Sequence, residues 1–349
     1  MISVAELWQR FLHWIVRVND RATVLYQAFL SRRPHRSFRR TYRRDYVRSL
    51  KLPGYVAFTF YVWRTLYRHW RTFGLLVLFY AALLIAIGAV TSQDIYDQVS
   101  TLLKESSSDL FGAGIGKVGQ AGLLAASTFL TGPTDLSVDQ QIYVGISLLF
   151  AWLATVWLLR EYLLGRKPRL RDGLYNSGSP VLATLVVLGV LVVQFLPVGF
   201  TALAYAGLAS VGILSEGFGS MIFWLLAATI AVLVLYWTTS TLIALVVVTL
   251  PGMYPTRALR ASSDLVVGRR LRILYRWLWA VLTILVAWAI VVIPVILLDT
   301  AAKSAWPVVK DLPVVPYVGA LMTAATTIWF AAYVYLLYRK VVDDDAKPA

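Results

Sequence analysis

Thirty residues run from Met221 to Leu250, MIFWLLAATIAVLVLYWTTSTLIALVVVTL, without one Asp, Glu, Lys, Arg or His. As an α-helix rising about 1.5 Å per residue, they extend to about 45 Å. A bilayer's hydrocarbon core is about 30 Å deep, so the stretch is long enough to cross it with length to spare. Apart from the rings of Trp224, Tyr236 and Trp237, the only polar side chains are hydroxyls, at Thr229, Thr238, Thr239, Ser240, Thr241 and Thr249. In lipid a hydroxyl is satisfied by a carbonyl one turn earlier or by a neighbouring helix.

Five further stretches behave alike, at Phe73–Thr91, Ile142–Leu159, Val181–Leu208, Trp277–Leu298 and Val315–Tyr338, each free of ionisable Asp, Glu, Lys, Arg and His. The spans at Val181 and Met221 exceed what a straight crossing needs and are expected to tilt, kink or project. Kinks are expected at Pro197 and Pro294. The whole chain agrees: 349 residues are 59% hydrophobic and 15% charged, with a mean hydropathy of +0.68. Soluble domains carry about 25% charged residues, so this chain cannot cover its surface in water. The fold class is an all-α, polytopic membrane protein, six transmembrane helices in a bundle.

Orientation follows from the basic residues. Residues 1–72 hold fifteen Lys and Arg, and the connection 160–178 holds Arg160, Arg166, Lys167, Arg169 and Arg171. The connection 251–276 holds Arg257, Arg260, Arg269, Arg270, Arg272 and Arg276. The alternate connections are poor: Lys104 and Lys117 against six acids in 92–141, none in 209–220, and Lys303 and Lys310 in 299–314. Both termini are therefore expected in the cytoplasm. Residues 1–72 form a basic interfacial region, 73–340 the six-span domain and 341–349 a short tail. No cleavable signal peptide is expected, because the first long apolar stretch starts only near Phe73.

The stretch Arg32–Lys51 carries nine basic residues against Asp45 alone, a net +8. Next to a span, such a cluster attracts anionic headgroups by about 1 kcal/mol per basic residue. Phe38, Tyr42 and Tyr46 recur every fourth residue and would set an aromatic edge into the interface. Amphipathic helices are expected before this run, with Leu7, Phe11, Trp14, Ile15 and Val18 on one face, and after it between Pro53 and Arg71. Arg39, Arg40, Arg43 and Arg44 are the expected headgroup contacts, with Arg269, Arg270 and Arg272 as a second patch. Nucleic acid is the weaker reading of the same charge.

Motifs for chemistry do not gather. Cysteine is absent, and His13, His35 and His69 read as polar or interfacial residues. GIGKVG at Gly114–Gly119 matches a dinucleotide fingerprint by letter but lacks the strand and βαβ unit it requires. Ser106–Ser108 has no histidine base on its side of the membrane, and Asp94 with Asp97 reads as solvated loop acid. No catalytic residue, cofactor or metal is expected. Gln194 with Thr238, Thr239, Ser240 and Thr241 reads as interhelical glue, or alternatively as a polar pathway. No ionisable group stands within the six stretches, which argues against proton-coupled transport.

Pro53, Pro168 and Pro255 each open a basic stretch leading into an odd-numbered span. At the third, Thr256 is expected to cap a surface helix that Gly268 ends. The pattern Ala258, Leu259, Arg260, Ser262, Leu265, Gly268 and Arg270 resembles the signature of the YciC-type bacterial membrane proteins. VWRTLYRHWRTFGLLVL (Val62–Leu78) and KPRLRDGLYNSGSPVLATLVVL (Lys167–Leu188) are looser matches to the same family. The unit also resembles the membrane domain attached to some glycerophosphodiester phosphodiesterases. The resemblance, over about residues 50–340, implies a bacterial cytoplasmic-membrane protein with a six-helix bundle. The resemblance does not extend to the soluble phosphodiesterase domain, so no hydrolase activity is expected from it. The expected role is non-enzymatic: organising or sensing the bilayer through a basic cytoplasmic face that meets anionic lipid. The alternatives are a permease or lipid-handling transporter, and a docking platform for a cell-envelope or secretion complex.

Overall fold

A computed structural model describes residues 52–87, 137–210, 217–306 and 312–345. The chain divides into two compact units. The first comprises Met1–Ser49 with Val267–Arg269, of which only the latter three are described. In that turn Gly268 sits at a φ of 77°, a left-handed value that a Cβ disfavours.

The second unit, Leu50–Val266 with Arg270–Ala349, consists of helices and the turns between them, with no strand among its described residues. Its helices are α1 (Tyr55–Arg68), α2 (Trp70–Ile87), α3 (Val138–Leu163), α4 (Leu170–Asn176) and α5 (Val181–Ser210). They continue as α6 (Gly217–Val247), α7 (Pro255–Val266), α8 (Arg270–Ala305) and α9 (Val314–Asp345). Six of these, α2, α3, α5, α6, α8 and α9, are long and apolar enough to cross a membrane. Short α1, α4 and α7 each begin within two residues of Pro53, Pro168 or Pro255 and precede an odd-numbered span.

Local chemistry moves several boundaries. A capping box starts α3 four residues ahead of Ile142: Ser137 Oγ accepts from the Gln140 amide, and Gln140 Oε1 accepts from the Ser137 amide. Asp139 thereby enters the first turn, where the helix dipole favours an acid. Pro255 itself opens α7, and Thr256 lies inside the first turn rather than capping it. Proline suits that position because its missing N–H would have no partner there. α8 runs 36 residues, well beyond Trp277–Leu298 at both ends, and α5 and α8 continue through Pro197 and Pro294.

The core lies between α2, α3 and α9 and towards one end of α6 and α8. Phe58, Val62 and Leu66 of α1 form one buried stripe, with Arg64 and Arg68 exposed opposite it. The stripe passes through a break at His69 to Phe73, Leu76, Tyr80 and Leu84 of α2. Phe58 meets Tyr333 of α9 edge to face, with ring centres 4.9 Å apart. Phe330 of α9 stands between Trp152 of α3 at 6.0 Å and Trp277 of α8 at 5.8 Å. α6 is buried from Ile243 to its end at Val247, yet Met221, Trp224, Leu225 and Val232 of its first half are exposed. Such apolar exposure is stable only where lipid replaces water.

Candidate functional site

Polar contacts gather the basic residues at one end of the bundle. His69, at the break between α1 and α2, stacks on Tyr162 of α3 at 3.8 Å between ring centres. The Tyr162 hydroxyl shares a 2.6 Å hydrogen bond with Thr72 and donates to the Pro168 carbonyl at 3.4 Å. Arg160, also on α3, donates to the Thr249 carbonyl beyond the end of α6 at 3.3 Å. The N-terminal halves of α1 and α8 and the C-terminal half of α9 meet at the same end, through Arg276.

Arg276 is buried to 7% exposure. Its guanidinium donates to the Pro53 carbonyl and, at 3.4 Å, to the Gly54 carbonyl. It lies 4.3 Å from the Tyr55 ring centre, and its own carbonyl accepts from Tyr333 Oη at 3.2 Å. Trp279, one turn on, donates to Thr59 Oγ1 at 3.0 Å. A planar guanidinium reaches two carbonyls and one aromatic face together, which an ammonium cannot do. Arg276 thus ties α1 to α8 and α9.

Glu161 is also buried, bonded to Arg166 at 2.8 Å with Arg160 Nε 3.6 Å away. At the opposite end Asp299 is buried and paired with Lys303 at 2.8 Å, one helical turn apart. These three buried charges escape a span-by-span reading because each lies within two residues of a span limit drawn at Leu159, Trp277 or Leu298. Their legible signal is spacing: Asp299 and Lys303 stand at i and i+4.

The expected site residues fall into separate places. Arg39, Arg40, Arg43 and Arg44 lie outside the described residues, as do the Gly114–Gly119 motif, Ser106–Ser108, Asp94 and Asp97. Arg269 is buried at 3% exposure. Arg270 is half-buried, its guanidinium 4.5 Å from the Tyr236 ring centre of α6 and donating to Ser263 Oγ of α7 at 3.2 Å. Arg272 is exposed. Arg64, Arg68, Arg71, Arg257 and Arg260 are exposed at the same basic end of the second unit. Lys303 is the one basic side chain at the opposite end among the described residues.

Gln194 and Thr241 do come together, with Thr241 Oγ1 donating to Gln194 Oε1 at 2.9 Å across α5 and α6. Thr238, Thr239 and Ser240 donate instead to the Val234, Leu235 and Trp237 carbonyls of their own helix. Among the described residues, no three His, Asp or Glu side chains stand where they could share a metal ion.

The fold lowers the proton affinity of His69. Burial, and then the charge of Arg68, hold it below the ordinary histidine value of 6.5. Comparison of the chain with protein-family models, with curated proteins and with solved structures yields no match.

Proposed function

We propose that this multi-pass membrane protein stands in a bacterial cytoplasmic membrane with its basic end and both termini in the cytoplasm. There it acts without catalysis, gathering anionic phospholipid around itself and so organising or sensing the adjacent leaflet. One observation carries the reading. The exposed arginines Arg64, Arg68, Arg71, Arg257, Arg260 and Arg272 share the end at which the spans begin and finish, while the far end offers Lys303 alone among the described residues. Each such side chain contributes about 1 kcal/mol of attraction to an anionic surface, falling off over a Debye length of about 8 Å at physiological salt.

The test uses the chain's own tryptophans, thirteen in all. The protein is reconstituted in phosphatidylcholine with either brominated phosphatidylglycerol or brominated phosphatidylcholine as quencher. Stronger quenching by the anionic lipid, weakened by salt and by Arg→Gln at positions 64, 68, 257 and 260, is expected. Equal quenching by both lipids would overturn the proposal. Tags on the two termini, probed for protease access in inverted and right-side-out vesicles, check the orientation independently.

A further inference from the structure

A cavity of about 300 Å³ opens at the basic end, between the C-terminal turns of α3, the turn leading into α5 and the turn that follows α6. We propose that it holds the phosphate-bearing head of one anionic phospholipid, with Arg160 as the cationic contact. The proposal rests on the reading that this end faces an anionic leaflet, and it adds a built, stoichiometric site to a diffuse basic surface.

The lining has two characters. Leu153, two turns before Arg160 on α3, Ala183 in the first turn of α5 and Val248 just beyond α6 form an apolar side. Arg160, Asn176 and Ser179 form a polar side, at the level where the chain leaves the spans. A soluble phosphate needs no apolar wall. An amphiphile needs both, in this order, at this depth. Val186, one turn along α5 from Ala183, is exposed, so an acyl chain leaving the cavity meets apolar helix surface. The volume is at the lower end of the range for ligand pockets, about 300–1,000 Å³, and suits a head without its chains.

Arg160 is placed for this role rather than used up by its neighbours. Its guanidinium has five N–H donors. Nη1 reaches the Thr249 carbonyl at 3.3 Å, and Nε stands 3.6 Å from Glu161. Glu161 is engaged more closely by Arg166, at 2.8 Å. One carboxylate therefore faces two arginines, and the cluster keeps a net positive charge beside the cavity. α5, a helix of 30 residues, begins at Val181 directly after Pro180 of the lining, so its positive dipole end adds to the same potential. A phosphodiester offers the matching partner, because its oxygens accept from a guanidinium in bidentate fashion.

The full chain, reconstituted in nanodiscs of mixed phosphatidylglycerol and phosphatidylcholine and released into mild detergent, is weighed intact by native mass spectrometry. One retained phosphatidylglycerol per chain is expected. Arg160→Gln is expected to lower that retention about tenfold, and Arg160→Lys to restore part of it. Ala183→Leu fills the cavity without touching the arginine and is expected to displace the lipid too, so a folding defect in one variant does not decide the matter. Arg257→Gln with Arg260→Gln is expected to leave the retained lipid in place while weakening the preference measured by quenching. Retention of the lipid with no quenching preference would keep this site and remove the diffuse surface. Unchanged retention in both Arg160→Gln and Ala183→Leu, or equal retention of phosphatidylcholine, would overturn the site. Displacement by millimolar inorganic phosphate or glycerol phosphate would overturn the lipid assignment in favour of a soluble phosphate.

Discussion

Replacing Arg276 by Met should release α1 from the bundle without unfolding the rest. The guanidinium makes two hydrogen bonds, to the Pro53 and Gly54 carbonyls, and stacks on Tyr55. A hydrogen bond from a charged donor contributes about 1.5–3 kcal/mol, and a partly desolvated cation–π contact about 0.5–2 kcal/mol. The three share one side chain and do not add fully, so about 3 kcal/mol is expected for the loss. At about 1.4 kcal/mol per factor of ten, the open state of α1 rises about 100-fold. The chain has no cysteine, so a thiol reports this cleanly. Val62 is fully buried in the α1 stripe, and Val62→Cys should react with a maleimide only when α1 opens. Its labelling rate should rise about 100-fold in the Arg276→Met background and by less in Arg276→Lys, which keeps the charge but not the fork. Val187→Cys, equally buried on α5, serves as the control and should stay protected. Equal labelling at position 62 with and without Arg276 would refute the reasoning. So would equal acceleration at position 187, which would mean global loosening instead of a local clamp.

Other outcomes follow from single contacts. A Cβ at Gly173 would meet the Leu158 side chain at 2.7–3.0 Å; Gly173→Ala should cost about 1–3 kcal/mol as overpacking, with Leu158→Ala partly offsetting it in a double-mutant cycle measured by unfolding in mixed micelles. Thr241→Val should lose the interhelical bond to Gln194, a coupling of about 0.6–1.7 kcal/mol in the same assay, whereas Thr238→Val, which bonds only within α6, should show no coupling to position 194. The His69 contact should be pH-dependent. The fold depresses this base's proton affinity, so above pH 6.5 the ring is neutral whether folded or released and the contact is at full strength. As pH falls through 6.5 and then through the lower folded value, the released state takes up the proton first and stability is lost. The thermal midpoint should drop between pH 7.5 and 5.5, and less steeply in His69→Gln.

How much of this was legible from sequence depends on the range of the cause. Whether a segment crosses a membrane is a local property: length times rise, and the cost of placing a charge in hydrocarbon. Met221–Leu250 and its five counterparts declare themselves on that ground alone. The short helices behind Pro53, Pro168 and Pro255 are legible for a similar reason, since a proline acts on its own first turn. So is the gathering of basic residues at one end, which rests on the sum of charge in each connection and not on any contact. A capping box moved the start from Ile142 back to Val138, and α7 opens at Pro255 with the expected cap Thr256 inside its first turn, both corrections within about one turn.

The tertiary structure decided what depends on segments far apart in the chain. Nothing near Arg276 announces that its partners are the carbonyls of residues 53 and 54, because a backbone acceptor has no signature in sequence. Four hydroxyls stand in a row at positions 238–241, yet only helix rotation against α5 selects Thr241 for Gln194. The cavity beside Arg160 needs the ends of α3 and α6 and the start of α5 at one level, three segments that hydropathy treats as unrelated. Lipid imposes apolarity on each span separately, so composition alone reveals the spans. It is indifferent to which faces meet, so their pairing, their buried charges and the proposed site come from shape and hydrogen bonding.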